Sequence, residues 1–369
     1  MTITCLIGNG FDLGLGLKTR YLDFLPWYLS RKSFKSDAVK WLCDQIENST
    51  DGTWADAEMA FGRLPFSAAG KNVPKVIVDT MKDFQKDLAT YLRTQGNRMS
   101  IPSDDYTAVR SKFLSSVIKS VFLDGGASAQ TDALLSAGQG IQINFITFNY
   151  TDTLKELLGR WTLPHGAFTV DLSEKEKATV VISPICYVHG NLADHTSMFG
   201  VDNAAQITDQ GAKAYCASSG WMLKPESDRL LDYGFENAAR RMIAQSNRII
   251  CLGLSYGASD VRWWEFLYDT LGANPKTRLL LSPFFEENIS CESSADQFAI
   301  TQDVRNAFLG SIAEKRSNSV SELGGIKQIR PKIAVMKHSP HIDFDGNVGY
   351  CDPFNLKWFG KKYVKDYGK

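Results

Sequence analysis

The chain has 369 residues, 44% of them hydrophobic, with 41 basic and 41 acidic side chains and a formal net charge of zero. That supplies a large core and leaves neither the net charge nor the basic runs that would make nucleic acid or an anionic membrane surface the main partner. The seven cysteines, Cys5, Cys43, Cys186, Cys216, Cys251, Cys291 and Cys351, are odd in number, scattered and without a C-x-x-C pair, so they read as reduced residues and not as a zinc ribbon or a disulfide frame.

The first predicted element is a strand over residues 2–8 that breaks into Gly8-Asn9-Gly10-Phe11-Asp12. Glycines let a backbone approach a pyrophosphate, and a following helix start offers unpaired N–H groups, so this turn is a candidate nucleotide contact. A dinucleotide fingerprint needs a third glycine where Leu13 stands, and an acid about twenty residues on, where the chain reads Trp27-Tyr28-Leu29-Ser30-Arg31-Lys32. An ordinary dehydrogenase is therefore disfavoured, and a glycine turn without a ligand is the bland alternative. No cationic leader opens the sequence and no apolar run approaches the length of a membrane span, so a cytoplasmic protein without a membrane partner is expected.

Residues 21–135 change character. Tyr21–Leu29, Ala38–Ile46, Val76–Thr94 and Tyr106–Leu123 carry apolar residues at helical spacing and predict a helical insertion over the mouth of a pocket. Within it, Trp54-Ala55-Asp56-Ala57-Glu58 reads first as a solvated helix start and second as acids facing a ligand. Apolar runs return at 141–149, 179–188, 247–255, 276–283 and 332–337, alternating with helical stretches. That alternation predicts an α/β fold with a mostly parallel, buried sheet, built from 1–20 and 136–345, with 346–369 as a tail. Four runs end in Gly8-Asn9-Gly10, Asn149-Tyr150-Thr151-Asp152, His189-Gly190-Asn191 and Gly253-Leu254-Ser255, at the carboxyl ends where ligands of such sheets bind.

In that order, these motifs resemble those of the AbiH-type bacteriophage abortive-infection proteins and, more distantly, of the sirtuin-like NAD-binding superfamily. Gly8–Asp12 followed by Gly16-Leu17-Lys18-Thr19-Arg20-Tyr21-Leu22-Asp23-Phe24-Leu25 is similar to the AbiH opening. Phe148-Asn149-Tyr150-Thr151-Asp152 resembles the Asn-Tyr-Asp-Asp segment of sirtuin-like NADases, and Tyr187-Val188-His189-Gly190 the step carrying their catalytic histidine. Gly253-Leu254-Ser255-Tyr256 through Asp260 resembles the turn that holds the adenosine side. The resemblance implies a Rossmann-like core with NAD as substrate. Asn149, Asp152 and His189 are then catalytic, and Gly8, Asn9, Gly10, Phe11, Asp12, Tyr150, Gly190, Gly253, Ser255 and Asp260 bind the nucleotide. The four zinc cysteines of sirtuin deacylases have no counterpart, so water becomes the acceptor and the implied reaction is NAD hydrolysis in anti-phage defence. A lethal activity of that kind implies restraint by self-assembly or by a regulatory protein partner.

Two other classes stay open. A non-catalytic NAD or ADP-ribose sensor needs the same pocket. A serine hydrolase is suggested by Gly253-Leu254-Ser255-Tyr256-Gly257 between a strand and a helix, with Asp303 and His338 or His341 completing the order serine, acid, histidine. No metal is expected: Cys186 and His189 sit three apart in a strand-like run, and His338-Ser339-Pro340-His341 lacks visible partners.

Overall fold

The computed structural model describes residues 1–50, 52–121, 140–159, 167–172, 177–284, 293–316, 328–336, 340–342, 348–350, 354 and 356–365. Its centre is a mostly parallel sheet in the order β3-β4-β2-β1-β6-β7-β8, formed by Thr2–Ile7 (β1), Ile141–Thr147 (β2), Ala167–Asp171 (β3), Lys177–Ile182 (β4), Arg248–Leu252 (β6), Arg278–Ser282 (β7) and Ile333–Val335 (β8). Among the described residues of this sheet only the β3–β4 pair is antiparallel, and the short β5, Cys186–Tyr187, continues alongside β2. The apolar run 179–188 is thus two strands. Pro184, which can offer no amide to a ladder, stands in the break. A separate antiparallel pair joins Pro340–Ile342 (β9) and Val348–Tyr350 (β10).

Side chains alternate along each strand, and the two faces feed different cores. Ile3, Cys5, Ile7, Ile143, Phe145 and Ile250 meet helices Tyr106–Ser120 and Leu356–Tyr363 on one face. Leu6, Ile146, Ile249, Cys251, Leu279 and Leu281 meet Phe235–Ala244, Val261–Ala273 and Ser294–Arg316 on the other. The result is a three-layer α/β body whose strand order reverses at β1, between β2 and β6. An open parallel sheet has its ligand crevice at such a reversal.

A third core forms a helical cap. Its longest helix, Val73–Gly96, starts where the Asn72 side chain accepts from Lys75 N at 3.2 Å, with Pro74 in the first turn. It buries Ile77, Met81, Phe84, Leu88 and Leu92 in an i, i+4, i+7 stripe. Phe84 sits in an aromatic box with Phe24, Phe61 and Phe199, with ring centroids 4.9–5.3 Å from its own. The cap draws on two stretches of chain, residues 21–96 and a return from Leu192 to Leu223. Helix Tyr106–Ser120 packs on the sheet, so the helices between the first two strands serve two layers. Residues 122–135 of the expected insertion lie outside the described residues.

Candidate functional site

A cavity of about 850 Å³ lies between the carboxyl edge of the sheet and the cap. The chain delivers Gly8–Asp12 from the end of β1, Phe148–Thr151 from β2, His189 from just past β5, Gly253–Asp260 from β6 and Pro283–Phe284 from β7. The cap adds Tyr21, Asp56 and Glu58. Of the residues singled out in the sequence, Gly8, Asn9, Gly10, Asp12, Asn149, Tyr150, His189, Gly253, Ser255 and Asp260 line this space. Phe11, Asp152 and Gly190 do not. Phe11 packs edge-on against Phe113 in the core, at 6.0 Å between centroids. Asp152 precedes helix Thr153–Leu158 and accepts from Tyr187 Oη at 3.0 Å. Gly190, at φ +68°, makes the turn that aims His189, and a Cβ there would meet Thr196 O at 2.0 Å.

The glycine turn holds two strand ends together. Gly8 N donates to Leu252 O and Gly10 N to Gly253 O, both at 2.9 Å, while Phe11 N and Leu13 N bond within the turn. A Cβ on Gly10 would lie 2.6 Å from Gly253 Cα and 2.5 Å from Phe284 Cβ, and one on Gly253, at φ +65°, would lie 2.7 Å from Gly10 Cα. These glycines are required by the crossing of the β1 and β6 ends. Asn149 adds a tie from β2, its Nδ2 donating to Gly8 O at 3.1 Å, which leaves its carbonyl oxygen for other partners. Asp12 is buried and accepts from Thr151 Oγ1 at 2.6 Å and from Thr153 Oγ1. Burial pushes its carboxyl up to about 6, against the pull of those donors.

Around His189 the wall is built from charge. His189 is 3% exposed, and its Nε2 lies 3.0 Å from Asp260 Oδ1 without the alignment of a hydrogen bond. The same oxygen accepts from Lys224 Nζ at 2.7 Å, and Lys224 also reaches Glu58 Oε2 at 2.9 Å. Glu58 Oε1 accepts from Tyr150 Oη at 3.0 Å. Behind them Asp202 pairs with Arg262 at 3.0 Å. Burial opposes the charge on Asp260, yet the ammonium of Lys224 and the His189 ring together hold its carboxyl well below the usual range. Burial pushes Glu58 up, and Lys224 opposes the rise. Burial pulls the fully buried Lys224 ammonium down, and the carboxylates Asp260, Glu58 and Asp202 outweigh it and turn the shift upward.

The acids at Asp56–Glu58 therefore differ from a solvated helix start. Asp56 does cap helix Ala57–Gly62, accepting from Met59 N at 3.1 Å, but Glu58 is 4% exposed and paired. Lys224 was not singled out in the sequence. Its one signal is position: it opens helix Lys224–Leu230, the end where a cation is disfavoured by the helix dipole, two residues after Met222 at φ +61°.

Ser255 is exposed on the cavity wall. The left-handed backbone of its loop falls on Gly253 and Tyr256, whereas a nucleophile elbow concentrates strain at the serine. Asp303 is an exposed residue of helix Ser294–Arg316, and no contact joins it to Ser255 among the described residues. His338 lies outside the described residues, as do Cys291 and Cys351; His341 falls in β9. No group of three metal-ligating side chains occurs among the described residues, and no described helix is long and apolar enough to cross a membrane.

Sheet, cap and cavity define an α/β protein with a cavity at the carboxyl edge of a mostly parallel sheet, closed over by helices. The chain belongs to the bacteriophage abortive infection AbiH family, whose family model matches residues 5–281. No curated protein matches the chain at significance. Membership places the protein among those associated with abortive infection by phage.

Proposed function

We propose that the protein is an NAD glycohydrolase on a Rossmann-like, sirtuin-related core, acting in abortive infection by cleaving the nicotinamide–ribose bond. The observation that carries this reading is the convergence of His189, Asn149 and Asp260, from three different strand ends, on one cavity at the reversal of the strand order. Its volume of about 850 Å³ suits a dinucleotide-sized ligand. The leaving group is a pyridinium that departs as neutral nicotinamide when the C–N bond breaks and its electron pair goes to the ring, so no general acid is needed. Water supplies the new C–O bond, and its proton passes to His189 as general base. Asp260, held ionised by Lys224, orients the imidazole and stabilises the positive charge developing on the ribose. Asn149 offers its carbonyl oxygen to the water or to a sugar hydroxyl. On this assignment Asp260 serves the nicotinamide side, where the family resemblance suggested the adenosine side.

Among the described residues lining the cavity, Arg20 is the one with a permanent positive charge, and it is the group proposed to face the pyrophosphate with Asn9 and Thr19. An enzyme that drains a shared cofactor has to be restrained, and self-assembly or a regulatory protein is the proposed means. Purified protein incubated with NAD and NADP, followed by chromatography, tests the reading: nicotinamide and ADP-ribose are the expected products. Tight binding with no products would make the protein a sensor.

A further inference from the structure

The region of the cavity around His189 carries two kinds of wall that together recognise one chemical class. Three carboxylates, Asp56, Glu58 and Asp260, face it; of the cations, Lys224 is spent between Glu58 and Asp260, and Arg20, which lines the same cavity, is the group proposed for the pyrophosphate end. Asp202 and Arg262 compensate each other behind the wall. Aromatic rings stand among these acids. Phe148 meets the His189 ring edge-on at 5.4 Å, and Tyr150 lies 6.2 Å from it. Tyr21 sits close enough to Asp56, Glu58 and Asp260 for all three to disfavour its ionisation, after burial itself. Carboxylates provide long-range attraction, and aromatic faces provide a negative quadrupole at contact. A flat organic cation is the ligand that uses both. His189 belongs to this wall: it lines the cavity, is 3% exposed, and its Nε2 lies 3.0 Å from Asp260 Oδ1 without an aligned hydrogen bond.

We propose that this region is a subsite for an aromatic nitrogen cation, with the cap carboxylates Asp56 and Glu58 selecting the charged ring over its neutral isostere. The inference rests on the glycohydrolase reading and deepens it. The pyridinium end of the dinucleotide lies under the cap against Asp56, Glu58 and Asp260. Once the bond is cleaved the ring is neutral, the attraction to the carboxylates is gone and the product leaves. The cap thus contributes charge to the site as well as cover.

Titration calorimetry with two small probes tests the subsite without any turnover. N1-methylnicotinamide carries the permanent charge, and nicotinamide is its neutral counterpart. Wild-type protein is expected to bind the cation about ten-fold more tightly than the neutral ring. Asp56→Asn keeps an oxygen for the helix cap and is expected to remove most of that preference, with nicotinamide binding unchanged. Glu58→Gln is the second variant, checked for folding by its thermal unfolding midpoint. Equal or tighter binding of nicotinamide by wild type, no detectable binding of the cation, or a preference that survives both substitutions in folded protein would each overturn the proposal. If the cation is preferred but NAD yields no nicotinamide, the glycohydrolase reading fails and the subsite stands.

Discussion

The glycine turn and the charge cluster share one cavity wall but are built in opposite ways. The turn is made by backbone: Gly8, Gly10 and Gly253 allow the ends of β1 and β6 to cross at distances no Cβ tolerates, and its amides bond across that crossing. The cluster is made by long side chains from remote segments, with Lys224 reaching Glu58, 166 residues away in sequence, and Asp260, 36 residues away. The difference teaches that a sequence motif's visibility does not measure its part in chemistry. The turn, which is plain in the sequence, carries the architecture that brings the strand ends together. The cluster, whose Lys224 nothing in the local sequence marks, supplies the groups proposed to act on a substrate.

The largest effect that sharpens this contrast is expected at the turn. Gly10→Val drives a branched side chain into Gly253 and Phe284, and no soft neighbour can yield on the backbone side. A loss of more than about 3 kcal/mol in urea unfolding is expected, with failure to accumulate as soluble protein as the extreme case. A folded, stable Gly10→Val that merely binds nucleotide weakly would instead make the turn a phosphate cradle.

Next comes Asp12, the one ionisable group on the turn itself. Its carboxyl is pushed up to about 6 from an unfolded value near 3.8. A raised acid favours the native state below the unfolded value, and the advantage is lost as pH rises through about 6, so the cost of ionising it is fully felt at neutral pH. The shift corresponds to roughly 3 kcal/mol at most. Asp12→Asn, which still accepts from Thr151 or Thr153, is therefore expected to be more stable than wild type at pH 7.5 and to lose that advantage near pH 4. Urea unfolding of both proteins at the two pH values reads the difference directly. An Asn variant less stable at pH 7.5 would give the carboxylate an electrostatic role that burial does not describe.

The smallest effect is expected at Ser255, which is exposed on the wall and outside both the crossing and the cluster. Ser255→Ala is expected to weaken nucleotide binding by about 0.5–1.5 kcal/mol at most, the worth of one neutral hydrogen bond. A fluorophosphonate should leave it unlabelled, as seen by intact mass. Covalent labelling at Ser255 would shift the chemistry to the serine and away from His189.

Much of the fold was legible because buried parallel strands are continuous apolar runs: those at 2–8, 141–149, 247–255, 276–283 and 332–337 correspond to β1, β2, β6, β7 and β8. Helix Tyr21–Leu29 has the expected limits, and Asp37–Glu47 and Val73–Gly96 differ from expectation by their capping turns. Strand β3 escaped notice because it is an edge strand with a half-exposed, mixed pattern, which carries little periodicity. In the site, Asn149 and His189 were visible because each lies just past a strand end, whereas Asp260, eight residues beyond β6, was marked only by the family resemblance. Glu58 looked like a helix-start acid, since the lysine that buries it comes from the other side of the cap. Lys224 had no local reason to be inside at all. Its burial is decided by three carboxylates that only the tertiary fold brings together.

The central claim is that the cavity at the carboxyl edge cleaves NAD with His189 as its base. The most direct test is nicotinamide release from NAD by wild type, His189→Ala and Asp260→Asn, with thermal unfolding followed on the same samples. The account predicts release by wild type and at least about a hundred-fold slower turnover in His189→Ala. It predicts a smaller loss in Asp260→Asn, and a folded protein in both cases. Wild-type turnover retained in a folded His189→Ala, or no release by wild type under any condition that keeps it folded and bound to NAD, would contradict it.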